Sequence, residues 1–184
     1  MGKTIIVAGS NFGGYTGAIK LREYLKPEDK VIVLSNTHRF LFTPSLIWVP
    51  FGLRKSEDIT FDIRPIYQKN GIDFIEDHIM NFDPQNNLVI TQTNQKYSYD
   101  YLLIATGPKP DYNFIPGLKP GEYNNSIVTL KDALNTHEVW ESFLKNPGPV
   151  VVGATQGAAC FGAAYEFIFN IRYQLSKHNI KVPL

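Results

Sequence analysis

The chain has 184 residues, 43% of them hydrophobic and 19% charged, which fits one folded domain or one and part of a second and argues against a disordered tail. Eighteen Lys and Arg against 17 Asp and Glu leave a net charge of +1, too little for a nucleic-acid binder working through phosphate neutralisation. One cysteine rules out an internal disulfide framework and a Cys-built zinc site, and leaves open a nucleophile or half of a redox pair.

No run approaches the roughly 20 apolar residues needed to cross a bilayer. The apolar stretch 5–8 is too short for the core of a signal peptide, so the chain is expected to start in the cytoplasm. Residues 5–8 read instead as a buried parallel strand ending in glycine. A helix is expected over residues 13–25, where Tyr15, Ala18, Leu21 and Leu25 recur at spacings of three and four before Pro27. Residues 31–34 read as a second strand, and together these segments make a βαβ unit of about 30 residues.

Residues 40–53 are apolar without a clean period and are broken by Pro44 and Pro50, a composition suited to a wall packed on something flat. A short helix over 63–69 precedes three strand candidates, 72–80, 88–93 and 99–105, which the turn residues at 83–87 and 94–95 arrange as a β-meander. Between Pro108 and Gly121 four Pro and two Gly give a linker composition. A helix follows over Leu130 to Lys145 with Trp140 and Phe143 facing inward. A strand over 150–152, more glycines and a helix from about Ala158 to Lys177 then repeat the opening strand–glycine–helix theme.

The first glycine turn is Gly9-Ser10-Asn11-Phe12-Gly13-Gly14. A dinucleotide fingerprint needs a strand-ending glycine, a second that lets pyrophosphate approach, and a third where helix meets strand. Gly9 and Gly14 fill the first and third places, whereas Asn11 stands in the second with a side chain that takes space beside a phosphate. The turn is therefore either a degenerate dinucleotide site or a tight βα turn holding no ligand. The acid expected about 20 positions on is absent, and Ser35 and Asn36 are left to hydrogen-bond a ribose without charge. Downstream, Tyr99-Asp100-Tyr101-Leu102-Leu103-Ile104-Ala105-Thr106-Gly107 resembles the second signature of flavoproteins with two dinucleotide domains, whose Ala-Thr-Gly turn approaches the flavin.

Two longer stretches narrow the resemblance. Residues 42–49, Phe-Thr-Pro-Ser-Leu-Ile-Trp-Val, and residues 147–167, which run from Pro147-Gly148-Pro149 through Gly153-Ala154-Thr155-Gln156-Gly157 and Cys160 to Glu166-Phe167, closely resemble sulfide:quinone oxidoreductases. These belong to the FAD-dependent pyridine nucleotide-disulfide reductase superfamily. The resemblance implies an α/β fold: a Rossmann-like FAD domain with a β-meander over 1–112, a connecting segment and helix over 113–146, and the incomplete start of a second dinucleotide-type domain over 147–184. It implies FAD as cofactor, held by the first glycine turn, Ser35, Asn36, Thr43, Pro44, Ile79, Ala105, Thr106 and Gly107. It also implies that electrons pass from sulfide through the flavin to a quinone.

The family's active cysteine falls on Cys160, which the expected helix boundary places at a helix start, where a thiolate is favoured. The other reading is a buried structural cysteine among Ala158, Ala159, Ala163 and Ala164. Glu166 matches a glutamate common in the superfamily and is a candidate for proton transfer. Val128 stands where many members carry a further cysteine. Trp48 and Phe42 are expected to pack against flavin or core. The four histidines lie at least 40 residues apart and form no metal site, and Asp62 with Arg64 reads as a solvated pair.

The family's partner cysteine, quinone pocket and peripheral membrane helices lie in its C-terminal half, so the chain is expected to be an N-terminal portion, inactive alone, that self-associates or needs a partner chain. Two alternatives stay open. One is a related flavoenzyme, either a quinone-reducing NADH dehydrogenase or the flavin subunit of a sulfide dehydrogenase. The other is a non-catalytic remnant.

Overall fold

The computed structural model describes residues 2–122, 124–158 and 160–184. The chain forms two compact units, Met1–Leu41 with Thr60–Lys109, and Phe42–Ile59 with Pro110–Leu184.

In the first unit, β1 (Thr4–Ala8), α1 (Phe12–Tyr24) and β2 (Lys30–Ser35) form the expected βαβ unit. The short β3 (Arg39–Leu41) pairs antiparallel with β4 (Thr60–Asp62), and α2 (Arg64–Lys69) follows. Next come β5 (Asp73–Glu76), β6 (Ile79–Asp83), β7 (Leu88–Thr91), β8 (Lys96–Ser98) and β9 (Tyr101–Ile104). A four-stranded parallel sheet has the order β5-β2-β1-β9. The antiparallel trio β6-β7-β8 makes a separate meander.

The α/β class holds, but the meander is drawn from different residues than its sequence suggested. The expected strand 72–80 divides: β5 joins the parallel sheet and β6 opens the meander. The last expected strand supplies β9 to the parallel sheet, and the meander closes instead with the polar β8. Alternation along β1 explains the division into two faces. Val7 buries with Ala18, Val31, Val33, Ile63 and Tyr67 on one side of the sheet. Ile6 buries with Leu34 and Val89 on the other, where Ile79 and Phe82 of the meander supply cover. Each such fully buried aliphatic contributes about 1.5–3 kcal/mol. The Tyr67 hydroxyl is buried with no hydrogen-bond partner among the described residues, and burial raises its pKa.

In the second unit the apolar stretch Thr43–Phe51 winds as 3-10 turns and ends at Gly52 in the left-handed region (φ 65°). The helix α3 (Leu130–Lys145) has the expected bounds. Thr129 caps it by accepting from the Asp132 N–H, and the Asp132 carboxylate accepts from the hydroxyls of Thr129 (2.8 Å) and Tyr112 (2.6 Å). His137 Nδ1 lies 2.9 Å from the Pro50 carbonyl, which can only accept, so the proton sits on Nδ1. Phe51 meets both Trp140 and Phe167 with ring centroids 5.2 Å apart, joining the 3-10 segment to α3 and to α4 (Gly162–Lys177).

Two expectations fail in this unit. No strand forms over 150–152, where among the described residues the Val150 N–H donates to the Pro183 carbonyl and no ladder is made. The repeat of the opening theme is thus one of sequence alone. The helix α4 begins at Gly162, not near Ala158, since Gly157 takes φ 82° and Ala158 closes a turn back onto Thr155. No helix among the described residues is long and apolar enough to cross a membrane.

Candidate functional site

The first candidate site is built where β1 ends. Gly9 has φ 103° and its N–H donates to the Leu34 carbonyl of β2 (2.8 Å). A Cβ there would lie 2.3 Å from the Ala105 carbonyl oxygen, so both the backbone angle and the space demand glycine. A Cβ on Gly14 would lie 2.0 Å from the Gly9 carbonyl oxygen, which shows how closely α1 crosses the strand end. Gly13 is less constrained: a Cβ would reach ordinary contact with the Ala105 side chain at 3.4 Å. The turn is therefore a cradle in which main chain, not side chain, faces what lies above it. The start of α1 adds a partial positive charge suited to a phosphate.

Asn11, in the position that the fingerprint gives to glycine, has extended backbone, and its Oδ1 accepts from the Leu41 N–H (3.3 Å). The side chain that the sequence placed beside a phosphate is thus tied to β3. Phe12 packs edge-on against Phe40 (4.9 Å). Ser10 is buried, its hydroxyl 2.8 Å from that of Ser35 and 3.0 Å from the Thr37 carbonyl. One Ser10 proton serves only one of these contacts, so the Ser35 hydroxyl supplies the other. Ser35 is itself buried and bonded within the turn, whereas Asn36 is exposed.

Ala105 continues β9, its N–H donating to the Ala8 carbonyl (2.8 Å); Thr106 and Gly107 beyond it are exposed, with Gly107 at φ 70° in open space. Ile79 is half-buried in the cluster around Ile6, Leu34 and Val89. The structure thus gathers Gly9–Gly14, Ser35, Asn36, Ala105, Thr106 and Gly107 at the carboxyl edge of the parallel sheet, the usual ligand-binding edge of such folds.

Thr43, Pro44, Cys160 and Glu166 belong to the second unit. Thr43 and Pro44 are exposed at the start of the 3-10 turns, and Phe42 before them is 46% exposed. Cys160 is exposed, not buried among alanines, and it precedes α4 by two residues, so it does not sit in the first helical turn. Ala159 lies outside the described residues. Glu166, on α4, accepts from the indole Nε1 of Trp48 (3.1 Å), and Arg54 stacks over that indole at 4.9 Å from its centroid. This Trp–Glu contact escaped the sequence reading, which gave Trp48 only a packing role; nothing in either local motif signals it. Val128 is 61% exposed. No group of three metal-ligating side chains occurs among the described residues.

The profile of the pyridine nucleotide-disulphide oxidoreductase family matches residues 3–166. A sulfide-quinone reductase of Aquifex aeolicus is 41% identical over the whole chain, which spans 42% of that relative's length. A solved sulfide:quinone oxidoreductase from Aquifex aeolicus superposes with a TM-score of 0.89 at 40% identity, covering 99% of this chain and 42% of that one. An external alternative NAD(P)H-ubiquinone oxidoreductase of Arabidopsis thaliana is 30% identical over 77% of this chain and 25% of its own length.

Proposed function

Because the chain belongs to the pyridine nucleotide-disulphide oxidoreductase family, we propose that it serves electron transfer from sulfide to a quinone, with FAD as cofactor. The observation that carries this reading is the likeness to the Aquifex sulfide-quinone reductase, which runs the length of this chain and spans 42% of that relative. The activity, substrates and partners of that relative are proposals for this chain.

The residues present fit the nucleotide end of FAD. The cradle at Gly9 and Gly14 is closed to any Cβ, and main-chain N–H groups at the start of α1 would receive the pyrophosphate. Ser10 and Ser35 hold the turn against β2. The exposed Asn36 amide would meet a ribose hydroxyl without adding charge. Ile79 would contribute apolar contact, and Ala105, Thr106 and Gly107 would approach the flavin. FAD, when bound, supplies a two-electron carrier between the sulfur donor and the quinone.

Cys160 would be the group that meets sulfur, being an exposed thiol. It is the one cysteine in 184 residues, so any disulfide it forms takes its second sulfur from outside this stretch. Glu166, oriented by Trp48, would hold a proton at its carboxylate. A second reading, a quinone reductase fed by NAD(P)H, is favoured by the Arabidopsis relative. The looser turn Gly153-Ala154-Thr155-Gln156-Gly157 weighs against it.

The test joins this chain to the part of the Aquifex relative that it does not match, and assays quinone reduction with sulfide or NADH as donor. Sulfide-dependent activity lost in Cys160→Ser supports the proposal. NADH-dependent activity unaffected by Cys160→Ser establishes the second reading instead. Flavin that binds equally well to Gly14→Val overturns the cradle assignment.

A further inference from the structure

A dinucleotide fold sets an acid at the end of its second strand, where the carboxylate takes the ribose hydroxyls of the adenosine. In this chain that place falls to Ser35, whose hydroxyl is buried and turned to Ser10 (2.8 Å). Asn36 beside it offers a neutral amide and no charge. The next strand out carries an acid at the same level. Glu76 is the last residue of β5 and the register partner of Ser35 in the parallel sheet.

We propose that Glu76, held by His38, is the acceptor for the ribose diol of the adenosine end, moved one strand outward from its usual place. This rests on the reading of the glycine turn as the seat of FAD and deepens it by naming the group that recognises the sugar. Three observations carry the assignment. The first is direction. Residues paired in register on parallel strands project to the same face of a sheet. On that face Ser35 meets Ser10 of the glycine turn, and Val33, two residues earlier, packs with Ala18 of α1. Glu76 therefore stands on the side of the sheet that carries the turn and the start of α1.

The second is fixation. His38 lies three residues beyond the end of β2, and its Nδ1 is 3.0 Å from both carboxylate oxygens of Glu76. A carboxylate only accepts, so the proton sits on Nδ1. One N–H shared by two oxygens leaves most of their lone pairs open, and the Glu76 side chain is 43% exposed. The pair thus brackets the end of β2 and holds a carboxylate there with acceptor capacity to spare.

The third is the state of the neighbouring acids. Asp77 accepts from the Thr93 hydroxyl and from the His78 N–H (2.7 Å). Asp62 is taken by Arg64 at 2.6 Å, which also turns that guanidinium away from Glu76. Of these three acids, Glu76 is the one left with acceptors for a diol. A carboxylate in this place also repels a phosphate on the 2′ oxygen, so the site selects an unphosphorylated ribose such as that of FAD.

Titration of the chain with FAD, followed by flavin fluorescence, and competition by ADP and 2′-deoxy-ADP read the sugar contact apart from any turnover. The wild type is expected to bind ADP at least about tenfold more tightly than 2′-deoxy-ADP, the worth of a hydrogen bond to a charged group. Glu76→Ala should weaken FAD by a similar factor and bind the two probes equally. Glu76→Gln keeps the shape and half the acceptors and should fall between, which preserves the test if alanine disturbs β5. His38→Ala should lower the preference for ADP without abolishing it. A chain that binds FAD, loses it in Gly14→Val and keeps its preference for ADP in Glu76→Ala overturns the assignment of Glu76 and leaves the glycine turn standing. A wild type indifferent to the 2′ hydroxyl overturns it too. FAD that binds wild type and Gly14→Val alike, or binds neither, overturns both readings.

Discussion

The indole of Trp48 and the carboxylate of Glu166 are joined by a hydrogen bond of 3.1 Å, although 118 residues separate them in sequence. The contact fixes a carboxylate of the second unit to the apolar 3-10 segment, and its removal should be felt as a loss of stability. Trp48→Phe keeps the ring but not the donor, and is expected to cost about 1 kcal/mol, less than the roughly 1.5–3 kcal/mol of a buried bond to a charged group because Glu166 is exposed. Glu166→Gln preserves an acceptor and should cost less. Urea unfolding of the three proteins checks the order, and equal midpoints would count against a working bond.

Gly9 and Gly107 both adopt positive φ, yet a methyl group should affect them very differently. At Gly107 there is open space, so Gly107→Ala is expected to cost only about 1 kcal/mol of backbone strain. At Gly9 the methyl would strike a backbone carbonyl as well, so Gly9→Ala should cost roughly 3 kcal/mol or more. Chemical denaturation of the two variants separates these outcomes.

Ser10 and Ser35 form one buried unit with the Thr37 carbonyl. Each single alanine substitution strands a partner and should cost about 1–2 kcal/mol. The double variant should cost less than the sum, with a coupling of at least about 0.5 kcal/mol. Strict additivity in that cycle would show that the two hydroxyls do not share a bond.

The orphaned hydroxyl of Tyr67 makes an opposite kind of prediction. Tyr67→Phe keeps the ring contacts to Tyr15 and Phe74 and removes a buried polar atom with no partner among the described residues, so stability should stay level or rise by about 1 kcal/mol. A clear loss in calorimetric Tm would reveal a partner for that oxygen.

Asp62 titrates in an unusual range. Hydrogen bonds from the Arg64 side chain and then from its N–H hold the carboxyl down from 3.8 to about 2. A lowered folded pKa stabilises the native state above the unfolded value, and this contribution is lost as pH falls from about 4 towards 2. In an acid titration followed by circular dichroism, Asp62→Asn should flatten that part of the curve and leave stability above pH 5 nearly independent of pH at this site. An unchanged slope between wild type and variant would remove Asp62 from the acid response.

The sequence disclosed those features that rest on local pattern. The helix over Leu130–Lys145 was legible because Trp140 and Phe143 fall on one helical face, while its Thr129 cap came to light only in the structure. The glycine turn was legible because its conformation has few chemical solutions. The pair Asp62–Arg64 also forms as expected, with its ions 2.6 Å apart at the surface. What stayed hidden depends on neighbours. An apolar run such as 72–80 gives no sign of which sheet will take each half, and β5 and β6 separate only because β2 offers one a parallel edge and β7 offers the other an antiparallel one. Residues 150–152 have strand composition but, among the described residues, no neighbouring strand to pair with. Cys160 looked helical because alanines surround it, while the left-handed Gly157 delays the helix. The anchoring of Asn11 to Leu41 depends on β3, which its own motif cannot announce.

The fit of Gly9 against Ala105 has a consequence for when the cradle comes into being. The strand that carries Gly9 lies inside the sheet, paired with β2 on one side and β9 on the other, and Ala105 follows directly after β9. During synthesis α1 and β2 emerge early and can assemble on β1, but the carbonyl that walls the turn arrives only after the whole meander has been made. Pairing so distant in sequence is slow to form, since the intervening loop must close before any contact rewards it. The ligand-facing geometry of the glycine turn is therefore among the last features of the first unit to set, and a nucleotide present during folding would meet a half-walled turn before it met a finished one.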